Sequence, residues 1–176
     1  TAAQILINER RNRALQRLLT TATRRSHILV GHWAAIFILL LLQFAILILF
    51  AQLILKINYL RELAATSLVV LTSVFCISAL GILIGMLARS QEQGVIFSLI
   101  PMFVFSGIGG VWLPLEITGP TFQKIGHLSP LAWAMDGFKN ISIRGLGIES
   151  ILIPSLALFG YGVLFFILAA WRIKAE

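Results

Sequence analysis

Long apolar runs without charged residues are the feature that most constrains the fold of this chain. Residues 63–88 contain no charged side chain over about 26 positions, and fourteen of the residues between positions 34 and 53 are Leu, Ile or Phe. About 20 such residues cross the hydrocarbon core of a bilayer as a helix, because a helix bonds its own backbone polar groups internally. We therefore predict an all-α, polytopic membrane protein with a single transmembrane domain over residues 1–176.

Four runs reach or approach the spanning length, and short polar links separate them. The predicted spans are residues 28–55, 63–88, 95–113 and 151–171. Charged residues make up 12% of the chain, against about 25% in soluble domains. This is too little polar sequence to cover a water-soluble fold, so membrane lipid is an expected partner. The single cysteine, Cys76, excludes a disulfide framework and a cysteine-based zinc site within the chain.

The basic residues are distributed unevenly between the two ends of the predicted spans. If the N-terminus is cytoplasmic, nine of the 14 Lys and Arg residues lie inside and five lie outside, as the positive-inside rule favours. Both termini are therefore expected in the cytoplasm. The formal net charge of +7 then reflects topology and attraction to anionic lipid, and it does not require nucleic acid as a partner.

Residues 8–23 predict an amphipathic basic helix ahead of the first span. Leucines lie on one face of this helix and arginines on the other, as follows: Leu15, Leu18 and Leu19; Arg10, Arg13 and Arg17. The helix could lie passively in the lipid headgroup plane, or it could dock on a cytoplasmic partner. Glu9 could support the helix through Arg13, four residues later, or could pair with a basic group of the partner.

The second run carries small residues at helical spacing, which would allow another helix to approach closely. These residues are Ser78, Gly81, Gly85 and Ala88. Packing within the chain is favoured over a dimer contact as their role. The same run carries four hydroxyl side chains that can bond to carbonyls of their own helix, and that alone indicates no polar pathway: Thr66, Ser67, Thr72 and Ser73.

The third run is interrupted by Pro101 and loosened at its outer end by Gly107 and its neighbours. Proline removes a backbone hydrogen bond and kinks a helix. Such breaks also occur where helices line a substrate path. We weigh a structural kink and a substrate path equally at these two positions.

Residues 114–140 are too apolar for an ordinary external loop, yet their prolines prevent one continuous helix. Short re-entrant helices in the outer leaflet satisfy both constraints, and Pro130 is one of the prolines that divide them. Glu116 and Asp136 would then lie near the membrane interface. We expect these carboxylates to form anchoring ion pairs at headgroup level in preference to a catalytic role.

Catalytic and metal-binding patterns are missing from the sequence. There is no G-x-x-x-x-G-K-[ST] loop, so this chain is not expected to hydrolyse ATP itself. The three histidines lack zinc-site spacing, and we predict no metal site. No carboxylate lies at the centre of a predicted span, which disfavours a proton-coupled carrier.

Four short motifs occur in order along the chain. They are the basic segment Glu9 to Leu19, the turn Ala88 to Gln93, the stretch Ser106 to Glu116, and Leu128-Ser129-Pro130-Leu131 followed by Asp136. In this order the motifs resemble the transmembrane subunits of type 2 ATP-binding-cassette (ABC) exporters, over essentially the whole chain. The resemblance implies a six-span fold in a bacterial cytoplasmic membrane, of which this chain lacks the first two spans.

The resemblance also implies how such a protein works. The segment matching Glu9 to Leu19 would be the coupling helix that touches an ABC nucleotide-binding subunit, and ATP and Mg would bind to that partner, with no cofactor in this chain. A second permease subunit, identical or related, would complete the transporter. The expected function is export of an amphipathic, lipid-like or drug-like substrate. The alternatives are a channel or carrier that needs no ATPase and, less favoured, a membrane-embedded enzyme or structural subunit.

Overall fold

A computed structural model describes the backbone of residues 25–174 and the side chains of residues 30–172. This part of the chain is helical and contains no strand, which confirms the all-α prediction. Its helices are α1 (Arg25–Leu53), α2 (Leu63–Leu87), α3 (Gln91–Ile108), α4 (Pro120–Gly126), α5 (Pro130–Ser142) and α6 (Leu152–Lys174), with 3₁₀ turns at Tyr59–Glu62, Leu115–Ile117 and Ile148–Ile151. The predicted coupling helix, residues 8–23, lies outside the described residues.

Three helical segments are long and apolar enough to cross a membrane. They are Val30–Leu53, Tyr59–Leu87 and Ile148–Arg172, and they match the first, second and fourth predicted spans. The polytopic membrane assignment is therefore confirmed. Helix α3 covers the third predicted span with 18 residues, a length of about 27 Å, and its first turn is polar. A total of four spans stays a prediction.

Helix α3 begins and ends earlier than residues 95–113, the limits of the predicted span. At its start the Ser90 hydroxyl accepts a hydrogen bond from the Gln93 backbone N–H at 3.2 Å. The Gln93 side chain in turn accepts one from the Arg89 N–H at 3.0 Å. This reciprocal arrangement resembles a capping box and draws the polar residues into the first turn. At the other end Gly110 adopts a φ of 82°, a left-handed conformation that terminates the helix.

Helix α2 lies at the centre of the bundle, where it packs chiefly against α6 and also against α1, α5 and α3. Two clusters of buried side chains hold it there. One contains Ile36, Ile82, Met86 and Ala169 and joins α1, α2 and α6; the other contains Ala65, Val69, Ile141 and Ile151 and joins α2, α5 and the turn before α6. Helix α3 is peripheral, with Gly94 its one buried residue among those described.

The small-residue face of α2 is largely covered within this chain. Ser78 and Ala88 are almost fully buried, Gly85 is buried, and Gly81 is partly buried. This burial in a single chain favours internal packing as the role of the face.

Helix α6 packs tightly against α2 at Gly162. A Cβ atom at this glycine would overlap the Phe75 ring and lie 3.2 Å from the Cys76 Cα atom. At Gly160, by contrast, a Cβ atom would meet nothing within 4 Å. Gly162 is therefore the residue that lets the two helices meet backbone to backbone.

Candidate functional site

The segment between α3 and α6 closes one end of the bundle with two short helices. Prolines separate its elements, as the sequence indicates: Pro114 precedes the 3₁₀ turn, Pro120 opens α4 and Pro130 opens α5. Proline suits the first position of a helix because its missing N–H would have no partner there. Whether this segment re-enters a bilayer stays a prediction, whereas its division into short helices is observed.

Hydrogen bonds tie this segment to the helices on both sides. Ser129 caps α5, accepting a hydrogen bond from the Leu131 N–H at 3.2 Å, and its hydroxyl donates to the Phe105 carbonyl of α3 at 3.4 Å. The Tyr161 hydroxyl of α6 donates to the Leu128 carbonyl at 2.8 Å. The turn between α4 and α5 is thus held between α3 and α6.

His127 joins α4 to α5 through both of its ring nitrogens. Its Nδ1 lies 2.7 Å from the Gln123 carbonyl oxygen, and its Nε2 lies 2.7 Å from Oδ2 of Asp136. The Trp133 ring N–H donates to the His127 carbonyl at 2.8 Å. A carbonyl and a carboxylate oxygen both accept hydrogen bonds, so this geometry favours the protonated imidazolium, in which both ring nitrogens donate.

The surroundings of His127 favour that charged form. Partial burial lowers its pKa, but the hydrogen bonds to the Gln123 carbonyl and the Asp136 carboxylate raise it by more, so the pKa lies above the ordinary 6.5. With side chains that are each 30% exposed, the pair is only partly screened by water. The ion pair between His127 and Asp136 links the end of α4 to α5, and we call it the His127 clasp.

Glu116 forms a second charged cluster at the same end of the bundle. Lys139 Nζ donates to its two carboxylate oxygens at 3.0 and 3.1 Å, and Arg144 Nη2 lies 3.8 Å from Oε1. A backbone hydrogen bond and then the bond from Lys139 hold the Glu116 pKa below its usual 4.5. Arg144 also donates to Asn140 Oδ1 at 2.8 Å, which extends the cluster along α5.

An apolar groove of about 270 Å³ lies between α2, α3, α5 and α6. Its lining consists of Ser73, Cys76, Ile77, Leu80, Ser98, Pro101, Met102, Phe105, Ser106, Pro130, Leu131, Ala134 and Leu158. Two residues selected from the sequence, Pro101 and Pro130, lie in this lining, whereas Gly107 does not. The groove can hold an apolar molecule, and no ionised side chain lines it.

The structure distributes the other predicted site residues over separate places. The proposed docking residues lie outside the described part of the chain: Glu9, Arg10, Arg13, Leu15, Arg17, Leu18 and Leu19. Glu116 and Asp136 have different basic partners, Lys139 and His127. No group of three or more potential metal ligands occurs in the described residues.

His127 and Lys139 were not singled out from the sequence as partners. His127 lies 9 positions before Asp136, and Lys139 lies 23 positions after Glu116. These separations match no local helical spacing. Only the path of the chain around the turns brings the pairs together.

Comparison with known proteins agrees with the membrane architecture. Residues 1–171 match the family model described as ABC-2 family transporter protein. The linearmycin resistance permease protein LnrN of Bacillus subtilis is 29% identical over 153 residues, 86% of this chain and 39% of that protein. The inner membrane transport permease YadH of Escherichia coli is 33% identical over 110 residues, 59% of this chain and 40% of that protein.

A eukaryotic protein is also similar: ABC transporter G family member 20 of Dictyostelium discoideum is 24% identical over 143 residues, 81% of this chain and 20% of that protein. No solved structure matches the chain. The chain spans about two fifths of the length of the two bacterial relatives. The family match extends over almost all of it and agrees with the apolar helices. The chain is an integral membrane protein and belongs to the ABC-2 family of transporter permeases.

Proposed function

We propose that this permease is part of an ATP-driven exporter that moves amphipathic, lipid-like or drug-like molecules outward. The observation that carries the proposal is the family match over residues 1–171, which includes the basic segment 8–23 as well as the membrane helices. A transporter built this way needs an energy source outside the chain, because the chain has no phosphate-binding loop. ATP and Mg²⁺ would bind to a separate or fused nucleotide-binding subunit.

The outward direction and the class of substrate rest on two supports. One relative is named for linearmycin resistance, and outward transport of a toxic compound is a direct way for a permease to confer resistance. The groove between α2, α3, α5 and α6 is apolar, which suits a lipid-like molecule better than an ion. Both supports favour an amphipathic cargo.

A second permease subunit would complete the transport path. Helix α3 exposes large apolar side chains along its length, including Ile96, Ile100 and Phe103. An apolar face in a membrane can contact lipid or another helix, and the expected partner for part of it is a second copy or a relative. ATP-driven closure of the nucleotide-binding subunits would then shift the membrane helices from one packing arrangement to another.

Replacing Leu15 and Leu18 by Asp tests the coupling segment. We expect loss of complex formation with the nucleotide-binding subunit and loss of transport, because two carboxylates on the apolar face cannot enter an apolar groove of the partner. The measurement is co-purification and substrate-stimulated ATPase activity of the full-length permease reconstituted with its ATPase. Amphipathic compounds serve as the candidate substrates.

Gln16→Asp is the matched control, since it adds a carboxylate to the same segment without changing these leucines. It should leave the complex intact. Complex formation and transport that are unchanged by the two leucine substitutions would refute the docking role. ATPase activity that no amphipathic compound stimulates, in an intact complex, would refute the proposed substrate class.

A further inference from the structure

The apolar groove reaches the level of the bilayer where water is scarce. Ser73 lies ten residues after Leu63, the first residue of α2, which places it about 15 Å along the helix. A hydrocarbon core is about 30 Å thick, so Ser73 lies near its middle whichever way the helix points. A polar group at this depth has little water to bond with.

Ser73 carries a buried hydroxyl without a hydrogen-bond partner in the described part of the chain. The residue is only 2% exposed and lines the groove. A serine in a helix usually donates to the carbonyl four residues earlier, which here belongs to Val69. That carbonyl already accepts from the Thr72 hydroxyl at 3.1 Å.

Several other hydroxyl groups on α2 and α3 are engaged. Ser67 donates to the Leu63 carbonyl at 2.7 Å, and Ser78 donates to the Phe75 carbonyl at 2.9 Å. Within the groove itself, Ser98 donates to the Gly94 carbonyl at 2.7 Å. Ser155 on α6 also carries a buried, unpaired hydroxyl, but it does not line the groove. Among the described residues that line the groove, Ser73 is the one whose hydroxyl is buried and unpaired.

The size and charge of the groove limit what can bind there. A cavity of about 150 Å³ accommodates benzene, so a volume of about 270 Å³ accommodates a larger apolar body of about ten carbons. No lining residue carries a charge at neutral pH. A charged headgroup would be buried there without a counter-ion, at high cost.

We propose that the groove binds a neutral amphipath with one alkyl chain and one hydroxyl group, which enters from the bilayer and hydrogen-bonds to Ser73. The alkyl chain lies against Met102, Phe105 and Leu158, and the hydroxyl group of the ligand pairs with the buried serine. The proposal concerns binding to the permease and holds whether or not the bound molecule is the exported one.

The test uses the full-length permease in lipid nanodiscs without its ATPase, so that failure of transport cannot affect the result. The probe is a decanol analogue that carries a diazirine, and labelled peptides are located by mass spectrometry. We expect labels on the α2 and α3 residues that line the groove. Unlabelled decanol should compete strongly, decane weakly, and decyl phosphate least.

Ser73→Ala removes the hydroxyl with little change of volume, and Ser67→Ala is the matched control on the same helix. One hydrogen bond contributes about 0.5–1.5 kcal/mol, so Ser73→Ala should weaken competition by decanol about 2- to 13-fold and leave decane unchanged. Ser67→Ala should change neither. Ala134→Phe should fill the groove and abolish labelling.

Three results would overturn the proposal. Labels confined to lipid-facing positions outside the groove would refute the site. Equal competition by decanol and decyl phosphate would refute a neutral ligand. Decanol competition that is the same in Ser73→Ala and Ser67→Ala would refute the role of the hydroxyl. This last comparison stands even if Ala134→Phe fails to fold.

Discussion

Ion pairs between single residues connect the short elements between α3 and α6. His127 donates from both ring nitrogens, to the Gln123 carbonyl and to the Asp136 carboxylate. Glu116 accepts a hydrogen bond from Lys139, which lies about one helical turn after Asp136 on α5. The two carboxylates therefore belong to two ion pairs, which we expect to stabilise the fold in different pH ranges.

The clasp at His127 should make stability depend on pH. Its pKa is raised in the folded protein, so its contribution is fully present below about pH 6.5. The contribution is lost as pH rises through the raised pKa. In detergent, wild type should have a higher thermal unfolding midpoint than His127→Gln at acid pH. We expect this difference to shrink as the pH rises through the pKa of His127. A difference that is constant from acid to alkaline pH would contradict the clasp.

The pair at Glu116 should have the opposite pH dependence and a small size. Its pKa is lowered from the usual 4.5, so its contribution is fully present above that value and is lost as pH falls through the folded pKa. Glu116 is 45% exposed, and exposed pairs contribute about 0.2–1 kcal/mol. We expect Glu116→Lys and Lys139→Glu each to destabilise, and the double reversal to recover part of the loss. A double-mutant cycle measures this coupling, and zero coupling would contradict the pair.

At the scale of helices, the contact between α2 and α6 organises the bundle. Buried residues on α6, including Leu158 and Ala169, recur on the face turned toward α2. Gly162 lies on this face, where the Phe75 ring fills the space that its side chain would take. The helices pack closely because one of them lacks a side chain at the crossing.

A side chain at Gly162 should therefore weaken the bundle. We expect Gly162→Leu to lower stability by about 1–3 kcal/mol, the usual range for overpacked cores. Gly160→Leu, where a Cβ atom meets nothing within 4 Å, is the matched control and should have little effect. Thermal unfolding in detergent measures both variants. Equal losses at the two positions would contradict the close contact with α2 as the cause.

For the whole molecule, the distribution of charge predicts an orientation that labelling can test. The turn before α3 is expected in the cytoplasm, and the turn before α4 is expected outside. We expect Gly119→Cys, but not Glu92→Cys, to react with a membrane-impermeant maleimide in intact cells. Both positions are exposed, and a background in which Cys76 and any further cysteine are replaced by Ala removes other sites of reaction. Reaction of Glu92→Cys alone would reverse the orientation.

The limits of sequence-based prediction differ between elements. The spans at α1, α2 and α6 follow directly from apolar length, whereas the start of α3 depends on the hydrogen bonds of Ser90 and Gln93. The Ser-x-x-Gln pattern at these positions could have indicated that start. The division of residues 114–140 into short helices was predictable from their prolines, because proline limits where a helix can continue.

Apolar length, helix-breaking prolines and the order of the motifs were sufficient to identify a helical membrane permease of the ABC-2 family, because these signals depend on neighbouring residues and on the solvent. Tertiary structure alone decided which helices cross at Gly162, which cations reach Glu116 and Asp136, and that the Ser73 hydroxyl lies unpaired in an apolar groove. These contacts join residues on different helices, and their geometry depends on how the helices pack.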